Sequence, residues 1–370
     1  MKFRKFLVGV LCSLTLGFTF TSCSDDDDKE VMNDNGSKIE LPSKRAYILY
    51  EGPFKQGAET NGTGIAFYAP NKDGESYPNF YKFQNDKELG NLGLTMTEYD
   101  DFIYVVVSAS KKVVKLNKAC VEVDHCDLPN TEGKDSDARY LTAEDGFLYV
   151  TQYGGAICKI DVNTMKVVDT FKGGNYLEGI AECNGNLYVA NSRGTAQEVL
   201  VFNTANAAAK PDTIQVINNP SSLMEEDDLI YVISLGNYAD ITNQFQVINP
   251  RSKTSKVIAQ ATRMAEGKND LIYLVDTKND WSTGHIENKL FSYDPKTQKV
   301  NTQSFLNNAP KEILNGNIYM ISVDDDTDEI YVGVTDYANN GTIYRFDSNG
   351  NLKESFDAGG VNPNTMIFVD

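Results

Sequence analysis

The chain has 370 residues, with 52 acidic side chains against 34 basic ones, a formal net charge of −18 and two histidines. A surplus of negative charge on this scale excludes nucleic acid and anionic lipid surfaces as partners. The scarcity of histidine leaves few groups able to move protons near neutral pH.

In chain order, the first element is a targeting segment. Lys2, Arg4 and Lys5 precede an apolar run from Phe6 to about Phe20, followed by Thr21-Ser22-Cys23-Ser24. This is a secretory signal, and its apolar run is too short to span a bilayer comfortably. The cysteine at the cut resembles the lipobox of bacterial lipoproteins. The resemblance implies that residues 1–22 are removed and that Cys23 is acylated as the first residue of the mature chain. Buried acyl carbons contribute about 0.8 kcal/mol each, so two or three chains hold a protein stably at a membrane. Ser24-Asp25-Asp26-Asp27-Asp28 reads as a solvated tether. It also resembles the acidic sorting signal that carries lipoproteins to the cell surface in one group of gut Gram-negatives, which implies the outer face of the outer membrane. Residues 23–43 form the lipidated acidic tether, polar enough beyond Asp28 to behave as a flexible stalk.

From residue 44 onward a short phrase returns seven times: an apolar residue, a tyrosine, then usually Val or Leu. Its tyrosines are Tyr47, Tyr104, Tyr149, Tyr188, Tyr231, Tyr273 and Tyr331, spaced 57, 45, 39, 43, 42 and 58 residues apart. A period in the forties built from short β-type runs marks a propeller or a solenoid. Each repeat reads as four antiparallel strands divided by Asn/Asp/Gly turns, as in Gly179–Cys183, Leu187–Ala190 and Val199–Asn203 with a weaker fourth run. No helical period is convincing outside the N-terminus, so helix content is expected to be low.

The chain ends separate the two architectures. Met366-Ile367-Phe368-Val369-Asp370 reads as the first strand of another repeat, and the chain stops where the tyrosine strand is due. That missing strand stands at the other end, as Ala46-Tyr47-Ile48-Leu49-Tyr50. Pairing the two completes a shared blade and protects the edges that an open sheet exposes. The expectation is an all-β, seven-bladed β-propeller of four-stranded antiparallel blades over residues 44–370, closed by its N- and C-terminal strands in one blade.

Motifs for chemistry are sparse. There is no nucleophile elbow, zinc-protease helix motif or phosphate-cradling loop. Asp324-Asp325-Asp326-Thr327-Asp328 lacks the Gly and spaced Glu of an EF-hand and reads as a solvated turn. His125 falls in an outer strand and reads as structural, whereas His285 falls in a long loop. Cys158 and Cys183 read as packed thiols, and the hairpin-flanking pair Cys120 and Cys126 leaves a disulfide open. No metal or cofactor is expected.

Loop lengths are lopsided. First-to-second and third-to-fourth turns are short, whereas second-to-third loops are long, including Glu51–Gly64, Asn191–Glu198, Ser234–Asn243 and Asp276–Lys289. The long loops share one face of the disc with the blade-to-blade linkers, and such loops on a rigid scaffold are where binding residues gather. They carry Phe54, Tyr153, Tyr176, Arg193, Tyr238, Trp281, His285 and Tyr337, the aromatic and basic types that anchor interfaces. These eight are the candidate ligand-binding residues. Short polar side chains around them suit an amide- or hydroxyl-rich ligand, whether corrinoid, glycan or peptide.

The tyrosine-bearing second strand and the third strands ending in Asp or Asn (Asp161, Asn249, Asp294, Asp347) resemble the YncE-like propellers. Tyr47-Ile48-Leu49-Tyr50-Glu51-Gly52 followed by Gly64-Ile65-Ala66-Phe67-Tyr68 resembles a lipoprotein branch of that group, the BtuG family. That branch captures cobalamin at the cell surface and passes it to an outer-membrane transporter. The resemblance implies a small-molecule ligand, first a corrinoid as cargo rather than cofactor, with a TonB-dependent transporter as partner and no catalysis. A protein- or glycan-docking propeller is the alternative, and a hydrolase or lyase using carboxylates comes third.

Overall fold

In the computed structural model the repeat becomes seven sheets of four antiparallel strands. The structure describes residues 36–53, 62–70, 74–131, 136–192, 196–280 and 282–369. Cys23, Phe54, Arg193 and Trp281 lie outside the described residues. Blade 1 runs Gly93–Tyr99, Phe102–Val107, Lys112–Asn117 and Glu122–Asp127. The first strands of blades 2 to 6 are Ala138–Glu144, Leu177–Cys183, Pro220–Glu226, Arg263–Glu266 and Asn317–Asp324. First strands of neighbouring blades pack against one another around the axis, so they form the inner wall of the ring.

Blade 7 is shared by the two ends of the chain. Pro363–Val369 pairs antiparallel with Arg45–Tyr50, in the register Ala46↔Phe368, Tyr47↔Ile367, Ile48↔Met366. Gly64–Ala69 and Glu75–Tyr77 complete the sheet. A buried ionic latch ties this blade to blade 6. Arg345 donates to Glu329 from Nε at 2.7 Å and to Glu354 from Nη1 at 2.7 Å, and Nη1 also reaches the Tyr68 hydroxyl at 3.2 Å.

The tyrosine repeat now has a physical cause. Seven hydrophobic clusters fill the seven blade-to-blade interfaces, and each contains one repeat tyrosine. All seven rings are buried. A side chain of this length and flatness spans the gap between two twisted sheets and buries about 150–250 Å² of surface. Among the described residues, helix is confined to Phe80–Asn85 and Lys311–Leu314 besides one short 3-10 turn. No helix among the described residues is long and apolar enough to cross a membrane.

One sequence reading is corrected, and one left open is decided. Asp276–Lys289 is not an irregular loop: strands Ile272–Asp280 and His285–Asp294 pair continuously out to Asp280↔His285. His285 is therefore an exposed strand residue at the tip of a long hairpin. Cys120 and Cys126 are free, buried thiols. Cys120 packs into the interface of blades 7 and 1, whereas Cys126 packs into that of blades 1 and 2. The two point to opposite faces of one sheet and cannot meet. His125, as expected, lies exposed in the fourth strand of blade 1.

Candidate functional site

The inner strands do not enter the ring smoothly. In six of the seven blades the first strand carries one extra residue near its start, opposite the end of the second strand. The residues left out of register are Leu94, Arg139-Tyr140, Glu178-Gly179, Ser221, Tyr319 and Asn364. Bulges bend a strand and re-aim the side chain they displace, and they gather near functional sites. Gly179 shows how tight the approach is: a Cβ there would lie 2.6 Å from the Ser221 carbonyl oxygen.

Five of these six bulges, all but that of Glu178-Gly179, converge on an axial cavity of about 410 Å³ on the long-loop face. Its lining includes Leu94, Arg139, Tyr140, Ser221, Tyr319 and Asn364 from the bulges, with Glu51 and Arg263 beside them. Five of the inner-strand residues stand ten positions before a repeat tyrosine: Leu94, Arg139, Glu178, Ser221 and Arg263. Tyr319 stands twelve before, because the turn Asp324–Asp328 is longer.

Two charged assemblies occupy the wall. Arg139 and Glu178 form a bidentate pair, Nε to Oε2 at 2.9 Å and Nη2 to Oε1 at 3.2 Å. The Tyr153 hydroxyl donates to the same carboxylate at 2.8 Å, and the Arg139 guanidinium sits 4.3 Å over the Tyr153 ring. Burial works against the Arg139 cation, but the Glu178 carboxylate outweighs it and the pKa rises. The second assembly centres on Glu51, whose carboxylate accepts from the Tyr319 hydroxyl at 2.7 Å and from Asn364 Nδ2 at 3.4 Å. Burial raises the Glu51 pKa, with those hydrogen bonds and the more distant Arg139 and Arg263 pulling it back. Arg263 lies 5.4 Å from the Tyr319 ring centroid.

Of the sequence-predicted residues that the structure describes, none lines the cavity itself, and Tyr153, Tyr176, Tyr238 and Tyr337 stand on the same face. Tyr153 belongs to the Arg139–Glu178 assembly and meets Tyr176 edge-on at 5.4 Å. Tyr337 meets the cavity-lining Tyr319 edge-on at 6.0 Å. Tyr238 is 78% exposed, its hydroxyl accepting from Asn219 Nδ2 at 3.2 Å. Tyr176 (φ 56°) takes a left-handed backbone ahead of a first strand, as Leu92, Asn219 and Asn362 do in other blades. Its carbonyl accepts from the Ser192 N–H at 3.0 Å, so the fold itself sets this tyrosine on the rim. Sequence reasoning missed Glu51, Arg139, Tyr140, Glu178, Arg263, Tyr319 and Asn364. The signal that could have found them is the fixed phase ahead of the tyrosine.

No family model matches the chain, and no curated protein sequence matches it. Solved structures do. A functionally unknown protein from Desulfotomaculum acetoxidans aligns at 12% identity over 88% of this chain and 99% of its own, with a TM-score of 0.59. The periplasmic gluconolactonase PpgL of Pseudomonas aeruginosa aligns at 11% identity over 88% and 99%, with a TM-score of 0.57. Kuenenia stuttgartiensis hydrazine synthase aligns at 14% identity over 69% and 76%, with a TM-score of 0.56. At these identities the likeness is one of fold alone.

Proposed function

We propose that this protein is a binding propeller that captures a small polar molecule in the axial cavity of its long-loop face and does not transform it. The observation carrying this reading is the convergence of re-aimed residues from five inner strands, with Arg263 from a sixth, on one volume. Packing alone gives no reason for arginine, glutamate, serine, tyrosine and asparagine at equivalent places in successive blades. The volume falls within the range of about 300–1,000 Å³ typical of small-molecule sites.

Catalysis is the weaker reading because carboxylate chemistry on sugars wants two cooperating groups. Here Glu178 is committed to Arg139 and Tyr153, which leaves Glu51 as the one cavity carboxylate with a raised pKa. An acylated Cys23 and an acidic tether fit a capture protein at the outer face of the outer membrane, handing cargo to a TonB-dependent transporter. A corrinoid is the second reading. It far exceeds the cavity and would lie across the mouth, a placement favoured by the exposed Tyr176, Tyr238 and Tyr337.

Thermal unfolding with cyanocobalamin, neutral monosaccharides and sugar acids, on wild type and on Ser222→Trp, tests both readings. A ligand that binds only the folded state raises its stability by mass action. Stabilisation abolished by the plug at Ser222 supports the cavity. Stabilisation by cyanocobalamin that survives the plug but falls in Tyr238→Ala supports the rim. No response from any of them, or a ligand recovered chemically changed, overturns the proposal.

A further inference from the structure

Resting on the cavity reading, we infer that the ligand is a small hydroxyl-bearing carboxylate, with Arg263 as its anion anchor. The argument begins with the charges on the wall. Arg139 is neutralised by Glu178 through two hydrogen bonds. Glu51 is held by Tyr319 and Asn364 and is shifted toward its protonated form by burial. Arg263 remains. Its guanidinium has no ion pair and no hydrogen bond among the described residues, and lies half-buried over the Tyr319 ring at 5.4 Å.

A guanidinium stays charged under all ordinary conditions, and its planar fork matches a carboxylate bidentately. The Glu51 carboxylate acts on it only from a distance, and a partly buried cation with no direct ion pair gains from an anion that meets it at close range. In a chain of net charge −18 such a cation runs against the general composition, which makes its retention in a cavity a specific feature. One fork with the Glu51 carboxyl nearby suits a monoanion better than a phosphate dianion.

Asn364 supplies an independent observation. Its Nδ2 donates to the Gly93 carbonyl at 2.9 Å and toward Glu51, two acceptors that fix the amide orientation. Its Oδ1 is thereby left as a buried acceptor with no partner among the described residues. A buried acceptor wants a donor, and because Asn364 borders the cavity a ligand hydroxyl that reaches past the atoms covering Oδ1 is the donor we assign to it. Ser222, Thr95 and Thr365 add hydroxyls to the same lining. Anion and hydroxyl requirements together describe the hydroxy-acid and uronate class.

The test is calorimetric titration of the protein with D-glucuronate, D-gluconate, D-glucose, methyl D-glucuronate ester and D-glucose 6-phosphate. Wild type, Arg263→Met, Arg263→Lys, Asn364→Leu and Ser222→Trp are compared after circular dichroism confirms that each is folded. The expected result is saturable binding of at least one carboxylate, with the ester and glucose at least about tenfold weaker. Arg263→Met should weaken the carboxylate on the order of thirtyfold, and Arg263→Lys should restore part of it. Asn364→Leu should weaken acid and neutral sugar alike. Glucose binding that matches the acid, is lost in Ser222→Trp and is indifferent to Arg263 overturns the anion inference while leaving the cavity reading in place. Equal binding of every probe to Ser222→Trp and wild type overturns both. Tighter binding of the phosphate, or no binding of either carboxylate, overturns the inference as stated.

Discussion

Replacing Glu226 by Gln should stabilise this protein at neutral pH and change nothing in acid. Glu226 ends the first strand of blade 4 on the short-turn face. Burial, then the neighbouring Glu266, Asp227, Asp270 and Glu225, push its carboxyl from 4.5 up to about 7. Well below pH 4.5 the group is protonated in folded and unfolded chains alike, and wild type and variant should converge there. As pH rises toward 7 the unfolded chain releases this proton while the folded one retains it, so wild type loses stability through that window. Above 7 the loss is complete and constant. At 1.36 kcal/mol per pH unit the shift has a ceiling of about 3.4 kcal/mol. The side chain is partly exposed, and solvent screening cuts that to about 1 kcal/mol. Urea unfolding of both proteins at pH 4, 6 and 8 measures it, with m-values compared to confirm that one transition is being read. Equal stability at pH 8, or a variant less stable than wild type there, would refute the reasoning.

Three further outcomes are expected. Arg345→Ala should remove about 3 kcal/mol, because it strips a buried cation from Glu329 and Glu354 at the ring-closing junction; a loss below about 0.5 kcal/mol in urea unfolding would show that the latch adds nothing to the strand pairing. Tyr231→Phe should be neutral or stabilising by up to about 1 kcal/mol, since its buried hydroxyl has no partner among the described residues, whereas Tyr47→Phe should destabilise by losing the 2.9 Å bond to the Lys118 carbonyl; the reverse order in a paired unfolding experiment contradicts it. Cys120, Cys126, Cys158 and Cys183 should resist a thiol reagent in the native state and react on unfolding, because burial drives all four pKa values up, Cys158 to about 12 and Cys183 to about 11; mass spectrometry showing a Cys120–Cys126 bridge would disprove it.

The fold was legible because the positions that pack the ring must repeat. Each of seven interfaces needs one long buried ring, so Tyr47 to Tyr331 keep phase through loops of unequal length. Ring closure was legible because the last repeat stops after its first strand and the first repeat begins at its second, so the two ends complete one blade. The site was legible only at its edge. Tyr153 and Tyr337 were found because large side chains in long loops are conspicuous, and they do touch the cavity's lining. Arg139, Glu178 and Tyr319 were missed because a strand read by alternation assigns each residue to one blade face or the other. A bulge breaks that alternation at the very residue it displaces, and no propensity of Arg, Glu or Tyr announces it.

The contrast between the two phases nevertheless carries information of its own. The tyrosine phase is uniform because all seven interfaces pose the same packing problem. The phase ten residues earlier holds Leu94, Arg139, Glu178, Ser221 and Arg263, and Tyr319 and Asn364 stand at the bulges of the remaining two blades. A channel that merely had to be filled or hydrated would face the same problem in every blade, and one or two residue types would serve. A bound molecule breaks the sevenfold equivalence, because each blade meets a different part of it. Residues that are structurally equivalent but chemically unlike are therefore what an asymmetric ligand on the axis requires of a repeat protein. On the proposed reading, the cation at Arg263, the paired charge at Arg139 and the unpartnered Oδ1 of Asn364 are assigned to different groups of one molecule.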